Sequence, residues 1–324
     1  MILWKATGKN VQKFTIHESE CGQRIDRYIS KYFRHLSFGK IQKMLREKDI
    51  KVNGRKVSGD YRLEAGDEIS VFLYEKAEPV AKDATTGTFM LKAKQIVYED
   101  EDILIYNKAA NQLAQSAQRD GEDITAGLVN YLRHKGEYDP EKQKTFSPAF
   151  INRLDANTQG LMFGVKNYLS ARTYSALAGE GKIKKYYTAL LCGVAPEKKT
   201  HKAYHLKDTK TKTAWIGSHP RPGAKAISTT VMDVASNRDF HLCKILLDTG
   251  KFHQIRAHMA YLNAPVVGDG KYGNAAINEI VRRRHNVAHQ LLIADELVFA
   301  LGDEIKRIKI EVPEKFMEVF TERQ

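Results

Sequence analysis

Between Tyr74 and Lys94 the chain turns polar and irregular, with EKAEPVAKDATTGT at its centre. Proline, glycine and charge without hydrophobic periodicity describe a linker. This break divides the chain into a small unit over residues 15–73, a linker over 74–94 and a larger unit over 95–324. A length of 324 residues fits about two cores. Apolar residues make up 42% of the chain, enough to bury both and too many for a disordered polymer.

In the first unit, Arg24–Phe33 and Phe38–Glu47 read as short helices, with Ser37 as N-cap of the second. Ile41, Met44 and Leu45 fall on one face of that helix, and Lys40 and Lys43 on another. Strand-like pieces at residues 50–52 and 69–73 are separated by the turn signals Asn53-Gly54 and Gly66-Asp67.

The second unit mixes both element types. Strands are predicted over residues 103–106, 160–165, 184–191, 241–247 and 308–312. Helices are predicted over 126–133, 168–177 (capped by Asn167) and 253–262. The charged insertion HKGEYDPEKQKT, residues 134–145, reads as a surface loop. There is neither a regular βαβ alternation nor a glycine-rich phosphate loop, so the predicted class is α+β.

A formal net charge of +13 favours an anionic partner, most commonly nucleic acid. The three cysteines lie far apart without paired spacing, which argues against a disulfide framework and a structural zinc site. No run of about 18 apolar residues occurs, so no membrane span is predicted. The expectation is a cytoplasmic monomer with no membrane partner.

Three segments carry candidate chemistry. In Asn152-Arg153-Leu154-Asp155, followed by Ala156-Asn157-Thr158-Gln159-Gly160-Leu161, a carboxylate sits on a loop that runs into a strand. Taken alone, an Asp ahead of Asn and Thr is more often a turn capping its own backbone. In Thr249–Met259, Gly250 can turn the chain into a helix on which His253 and Arg256, three apart, share a face. An arginine there can hold a carboxylate ionised and aimed, or can be an ordinary surface residue. In KYYTALLCG, Tyr187 reads as a core residue or as a platform for a base, a contact worth roughly 1–3 kcal/mol.

INRLDANTQGLMFGVKN resembles the Arg-Leu-Asp signature of the RluA-type pseudouridine synthases. GKFHQIRAHMAYLNAPVVGDGKYG resembles that family's Gly-Arg-x-His-Gln-Ile-Arg-x-His segment with its trailing Gly-Asp-x-x-Tyr-Gly, and KYYTALLCG its Lys-x-Tyr-x-Ala strand. The three occur in the family's order. The first unit, from QRIDRYISKYF through the Val-Asn-Gly and Gly-Asp turns, resembles the S-four RNA-binding domain, which often precedes the catalytic domain in this family.

The resemblance implies an isomerase that converts uridine to pseudouridine and needs no cofactor or metal. It implies a catalytic domain with a mixed, largely antiparallel sheet. It assigns the essential carboxylate to Asp155, its cationic partner to Arg256 and the base-packing residue to Tyr187, with Arg153 and His253 also binding substrate. RNA contacts are expected from Arg24, Arg27, Lys40, Lys43, Arg46 and Lys51, and Arg282-Arg283-Arg284 form another basic cluster on a predicted helix surface. The expected substrate is large-subunit ribosomal RNA. Transfer RNA is the alternative within the same chemistry, and a non-catalytic RNA-binding ribosome-assembly factor is the alternative outside it. A metal-dependent hydrolase built on His253 and His258 lacks a carboxylate at ligand spacing. Three departures from the family pattern stand out: Asn152 in place of His, Gln159 in place of Ser, and Asn107-Lys108-Ala109-Ala110-Asn111 where Asn-Lys-Pro-Ala-Gly is usual.

Overall fold

A computed structural model describes residues 10–73, 88–116 and 123–321. Most of the predicted linker, residues 74–87, lies outside the described residues. The first unit contains β1 (Asn10–Thr15), α1 (Ile25–Tyr32), α2 (Phe38–Arg46), β2 (Ile50–Val52), β3 (Arg55–Lys56) and β4 (Glu68–Leu73). Its sheet runs in the order β1-β4-β2-β3, so pairing begins at Asn10, upstream of residue 15. Ser37 caps α2 by accepting from the Lys40 amide. Asn53 and Gly54 both take positive φ between β2 and β3, as a two-residue hairpin requires. The core joins Ile25, Tyr28, Ile29 and Phe33 of α1 and its end to Ile41 and Leu45 of α2, over Ile69 and Val71.

The second unit contains β5 (Ile96–Glu99), β6 (Ile103–Lys108), α3 (Ile124–His134), β7 (Ala149–Phe150), β8 (Gln159–Val165), α4 (Tyr168–Gly179) and β9 (Lys184–Cys192). It continues through β10 (Thr200–Asp208), β11 (Thr213–Gly217), β12 (Lys225–Ser236), β13 (Phe240–Leu247), α5 (Gln254–Tyr261) and α6 (Ala275–His285). It ends with β14 (Leu292–Leu301), β15 (Glu304–Lys309) and α7 (Glu314–Thr321). An 11-stranded sheet has the backbone order β11-β10-β12-β13-β9-β14-β8-β6-β5, with β15 on β14 and β7 on β8. Its pairs are antiparallel except β8 with β14, so the fold is α+β with a large mixed sheet. At that parallel pair Gly160 takes φ +115, and a Cβ there would lie 2.2 Å from the Ala294 carbonyl. A side chain at 160 would push apart the two strands on which the following loop chemistry depends.

Apolar residues alternate along the central strands, and alternate residues point to opposite faces. Tyr187, Ala189 and Leu191 of β9 join a core with Ile255 and Met259 of α5 and Leu154. Leu190 and Cys192 face the other way, towards Val281 of α6 and Phe316 of α7.

The insertion over residues 134–145 is not simply a solvated loop, as its charge had suggested. Gln143 and Thr145 are buried against the first unit. The buried Glu20 carboxylate accepts from the Thr145 amide at 2.6 Å and from its hydroxyl at 2.5 Å, and Gln23 donates to the same hydroxyl at 2.8 Å. Lys31 lies over the Tyr168 ring at the start of α4. Charge fooled the sequence reading because the polar side chains here satisfy one another across an internal contact. The last strand also sits earlier than predicted, at Glu304–Lys309, because its register is set by the tight turn from β14. No helix among the described residues is long and apolar enough to cross a bilayer.

Candidate active site

The loop between β7 and β8 is held from three sides. Asn152 replaces the usual His without loosening it: its side-chain oxygen accepts from the Phe163 amide at 2.7 Å and its amide donates to the Leu161 carbonyl at 3.3 Å. The buried Thr158 hydroxyl accepts from Gln290 at 3.1 Å. The ammonium of Lys108, fully buried, donates to the carbonyls of Ala109, Gln112 and Ala156 at 2.8–3.0 Å. Burial pulls its pKa down to about 8, against the upward pull of the Asp155 charge. The altered stretch after Lys108 keeps its turn because Asn111 adopts φ +60, a conformation Asn tolerates better than most residues.

Within this loop Asp155 does not cap its own turn. The turn is closed by the backbone, Thr158 amide to Asp155 carbonyl at 3.0 Å. The carboxylate instead accepts from Arg256 Nη1 at 2.8 Å through Oδ2. Arg256, on α5, donates at the same time to Asp269 through Nε at 2.7 Å and Nη2 at 2.8 Å. Asp269 is sealed, whereas the Asp155 side chain keeps 24% exposure. Burial works against the guanidinium charge, but bonds to Asp269 and Asp155 outweigh it and raise its pKa. Burial likewise works against the Asp269 charge, and the Arg256 bonds overcome it and hold the carboxyl down. The result is a guanidinium clamped by one buried carboxylate and presenting the other to a cleft.

His253 is not on the helix proper. It is the residue before α5, with φ +52, which turns its ring towards Asp155, 3.9 Å from Nε2 to Oδ2. Its Nδ1 lies 2.9 Å from the Tyr272 hydroxyl, which also accepts from the Ala214 amide. Burial lowers the His253 pKa to about 4 despite the neighbouring Asp155, so the ring is neutral at pH 7. Phe252 stacks on it at 3.6 Å between centroids.

The cleft has a volume of about 470 Å³ and is lined by Asp155, Tyr187, His253, Arg256 and Arg153, with Leu292 and Ile255 as apolar wall. That is within the usual range of roughly 300–1,000 Å³ for small-ligand sites. Tyr187 is buried, and burial with the Asp155 charge pushes its phenol up, so it stays protonated. Arg153 stands exposed at the rim. Thus Asp155, Arg256, His253, Tyr187 and Arg153, far apart in sequence, line one cleft.

The other expected cations lie on the first unit and do not reach it. Arg24 pairs with Asp26, Lys43 with Glu47, Arg27 stacks over Phe38 and Lys51 over Phe72, while Lys40 and Arg46 are exposed. Arg282 and Arg283 both pair with Glu279 on the surface of α6. Sequence reasoning left Asp269 and Tyr272 without a role, although both stand in the Gly-Asp-x-x-Tyr-Gly run; Lys108 likewise stands in a motif and was given none.

A carboxylate paired with a guanidinium in a cleft, on a basic chain with a small α/β unit docked beside it, fits an enzyme that works on nucleic acid. The family model for RNA pseudouridylate synthases matches residues 102–261, and that for the S4 domain matches residues 23–69. A ribosomal large subunit pseudouridine synthase C from Buchnera aphidicola is 29% identical over 301 residues, covering 92% of each chain. An uncharacterized RNA pseudouridine synthase from Mycoplasma pneumoniae is 30% identical over 301 residues, covering 91% of this chain and 90% of that one. A structure of human RNA pseudouridylate synthase domain containing 4 shares the fold, with TM-score 0.55 and 17% identity over 69% of this chain and 90% of that chain. The chain belongs to the RNA pseudouridine synthase family, whose members are isomerases.

Proposed function

We propose that this enzyme isomerises uridine to pseudouridine in large-subunit ribosomal RNA, with Asp155 as the catalytic carboxylate. The observation that carries this reading is the Asp155–Arg256–Asp269 chain of contacts at the foot of the cleft. The reaction breaks the bond from ribose C1′ to uracil N1, turns the base and joins C1′ to C5, with the C5 proton lost and N1 protonated. Two routes are open to the carboxylate, attack at C1′ or removal of a ribose proton, and both need it ionised. Arg256 sets its guanidinium 2.8 Å from that carboxylate, and Asp269 holds Arg256 so that its Nη1 faces Asp155.

Tyr187 forms an apolar floor against which the uracil packs, and the neutral His253 flanks the ribose without adding charge. A uridine in folded RNA must leave its stack to reach Asp155, at a cost of a few kcal/mol. Arg153 at the rim and the cations Arg24, Arg27, Lys40, Lys43, Arg46 and Lys51 supply phosphate contacts that offset it. The domain division over residues 15–73, 74–94 and 95–324 fits this labour, one unit holding RNA and one acting on it. A relative named for the large ribosomal subunit supports the choice of ribosomal over transfer RNA.

The test incubates purified protein with large-subunit ribosomal RNA and, separately, with transfer RNA, and maps pseudouridine chemically. New sites in the ribosomal RNA that vanish with Asp155→Asn are expected. Sites appearing only in transfer RNA would overturn the substrate, and unchanged modification by Asp155→Asn would overturn the catalytic assignment.

A further inference from the structure

The basic residues picked out on the first unit and on α6 are partly spent on their own carboxylates, Arg24 on Asp26, Lys43 on Glu47, Arg282 and Arg283 on Glu279. The segment from β10 through the β10–β11 hairpin to the first residue of β12 is different. Lys202, Lys207, Lys210, Lys212, Arg221 and Lys225 are all exposed. Among the described residues none of the six is paired with a carboxylate. The segment 202–225 contains one acidic residue, Asp208, and its carboxylate is taken up at the hairpin tip by the amides of Lys210 and Thr211. Unpaired like charges on one short segment repel one another, a cost that a polyanion would relieve.

The hairpin is also fastened to the active site. The Tyr272 hydroxyl that meets His253 accepts from the Ala214 amide at 2.7 Å on β11. The Lys271 ammonium donates to the Lys212 carbonyl at 2.9 Å at the tip. His205 of β10 bonds the Phe252 carbonyl at 2.8 Å, and Ala203 and Ile216 pack on Ala257 of α5. Lys207 lines the cleft itself and stands 4.8 Å over the Phe252 ring, which stacks on His253. Arg221 is laid flat on Trp215 at 4.1 Å. From Lys202 to the strand's end at Asp208, β10 runs about 20 Å, the length of a few nucleotides.

We infer that the β10–β11 hairpin is a second RNA-binding surface, a rigid cationic wall that takes the phosphates flanking the extruded nucleotide. It rests on the reading that the cleft receives a nucleotide of an RNA chain. An acidic protein would also be drawn to such charge. RNA is favoured because Lys207, one of these cations, itself lines the cleft that would receive the nucleotide. Phosphate contacts of this kind position the substrate and carry no base sequence. They fix where Asp155 meets the strand, while the S4 domain holds the RNA elsewhere.

The test uses the full chain and a uridine-containing ribosomal RNA fragment, and measures the dissociation constant as a function of salt. Each lost phosphate contact lowers the slope of log affinity against log salt by about 0.7–0.9. Lys210→Gln/Lys212→Gln, both at the exposed tip, is expected to lower it by about 1.5 and to raise KM roughly tenfold near physiological salt, with a much smaller change in kcat. Arg282→Gln/Arg283→Gln is expected to keep the wild-type slope. A wild-type slope and KM in the tip variant would overturn the wall, even with isomerisation intact. A slope equally reduced with poly-glutamate as the ligand would overturn RNA as the partner. If the tip variant shows the expected slope change but the wild-type protein forms no pseudouridine, the isomerase reading fails and the RNA surface stands.

Discussion

Tyr187 and Thr188 are neighbours on β9, and they look out on two ionic constellations that differ in one respect. On the Tyr187 side, Arg256 joins Asp155 to Asp269 at the foot of the cleft. On the Thr188 side, Lys244 joins Asp295 at 2.6 Å to Glu296 at 3.4 Å, with Thr188 and Arg307 adding bonds. Both consist of a cation between two carboxylates. Asp295 even retains a buried oxygen, Oδ1, without a hydrogen-bond partner among the described residues. What separates them is access: the Asp295 side chain is 2% exposed and that of Asp155 is 24%. A spare lone pair is chemically useful only where a substrate can reach it. The back of the sheet is a fastening and the front a site.

The sharpest way to break this comparison is to make the same substitution on both faces. Asp155→Asn is expected to lower kcat by at least about a thousandfold, since the carboxylate acts directly on the nucleoside. RNA affinity should change little. Asp295→Asn is expected to leave kcat within about threefold and to cost about 1–3 kcal/mol of stability, read by urea denaturation, because Lys244 loses its nearer partner. A large kcat loss in Asp295→Asn with stability intact would mean that the back face takes part in catalysis.

A smaller effect probes how Arg256 is aimed. Asp269 lies behind Arg256, which it holds through two bonds, and it also accepts from the Lys271 and Tyr272 amides. Asp269→Asn keeps the shape and loses the charge, which frees the guanidinium to swing. A misplacement of about 1 Å can cost on the order of a hundredfold in rate. A kcat loss of that size with an unchanged KM is expected. Asp269→Glu should recover part of it if positioning is the role, whereas a merely structural role predicts equal losses in thermal stability and no such recovery.

How much of this was legible in sequence depends on whether a residue's job is local. Asp155, Arg256 and Tyr187 stood out because each lies in a short motif, and the structure brings the three to one cleft. The role of Asp269 was illegible, although its motif was visible, because its partner is 13 residues away across a turn and nothing in the spacing fixes that geometry. His253 was placed on a helix face by its i, i+3 relation to Arg256. Its positive φ instead makes it the hinge into α5, a backbone choice that side-chain periodicity does not encode. The β10–β11–β12 strands passed unread because few of their side chains are fully buried. On β10 only Ala203 and His205 are buried, and a small residue alternating with a polar one among lysines carries no hydrophobic signal. That is where the unpaired cations turned out to lie.

The smallest expected effect is on the pH dependence of stability, and it belongs to the cleft side alone. Burial holds both His253 and His258 of the α5 segment at about pKa 4, below the ordinary value of 6.5. The unfolded chain therefore binds protons at these rings as pH falls through about 6.5, while the folded chain refuses them until about pH 4. Stability contributed by the neutral rings is present above pH 6.5 and is lost progressively between those limits. Between pH 7 and pH 5 the loss should be about 1–2 kcal/mol per histidine, at about 1.4 kcal/mol per pKa unit. His258 is the cleaner probe, because it lies away from the cleft, bonded to Thr229 at 3.0 Å. His258→Gln keeps a polar group for that hydroxyl and cannot titrate, so its stability should fall less between pH 7 and pH 5 than that of the wild type. Parallel curves for the two proteins would mean that the folded state accepts a proton at His258 as readily as the unfolded chain does, and that α5 is less tightly closed on this side than its contact with Thr229 requires.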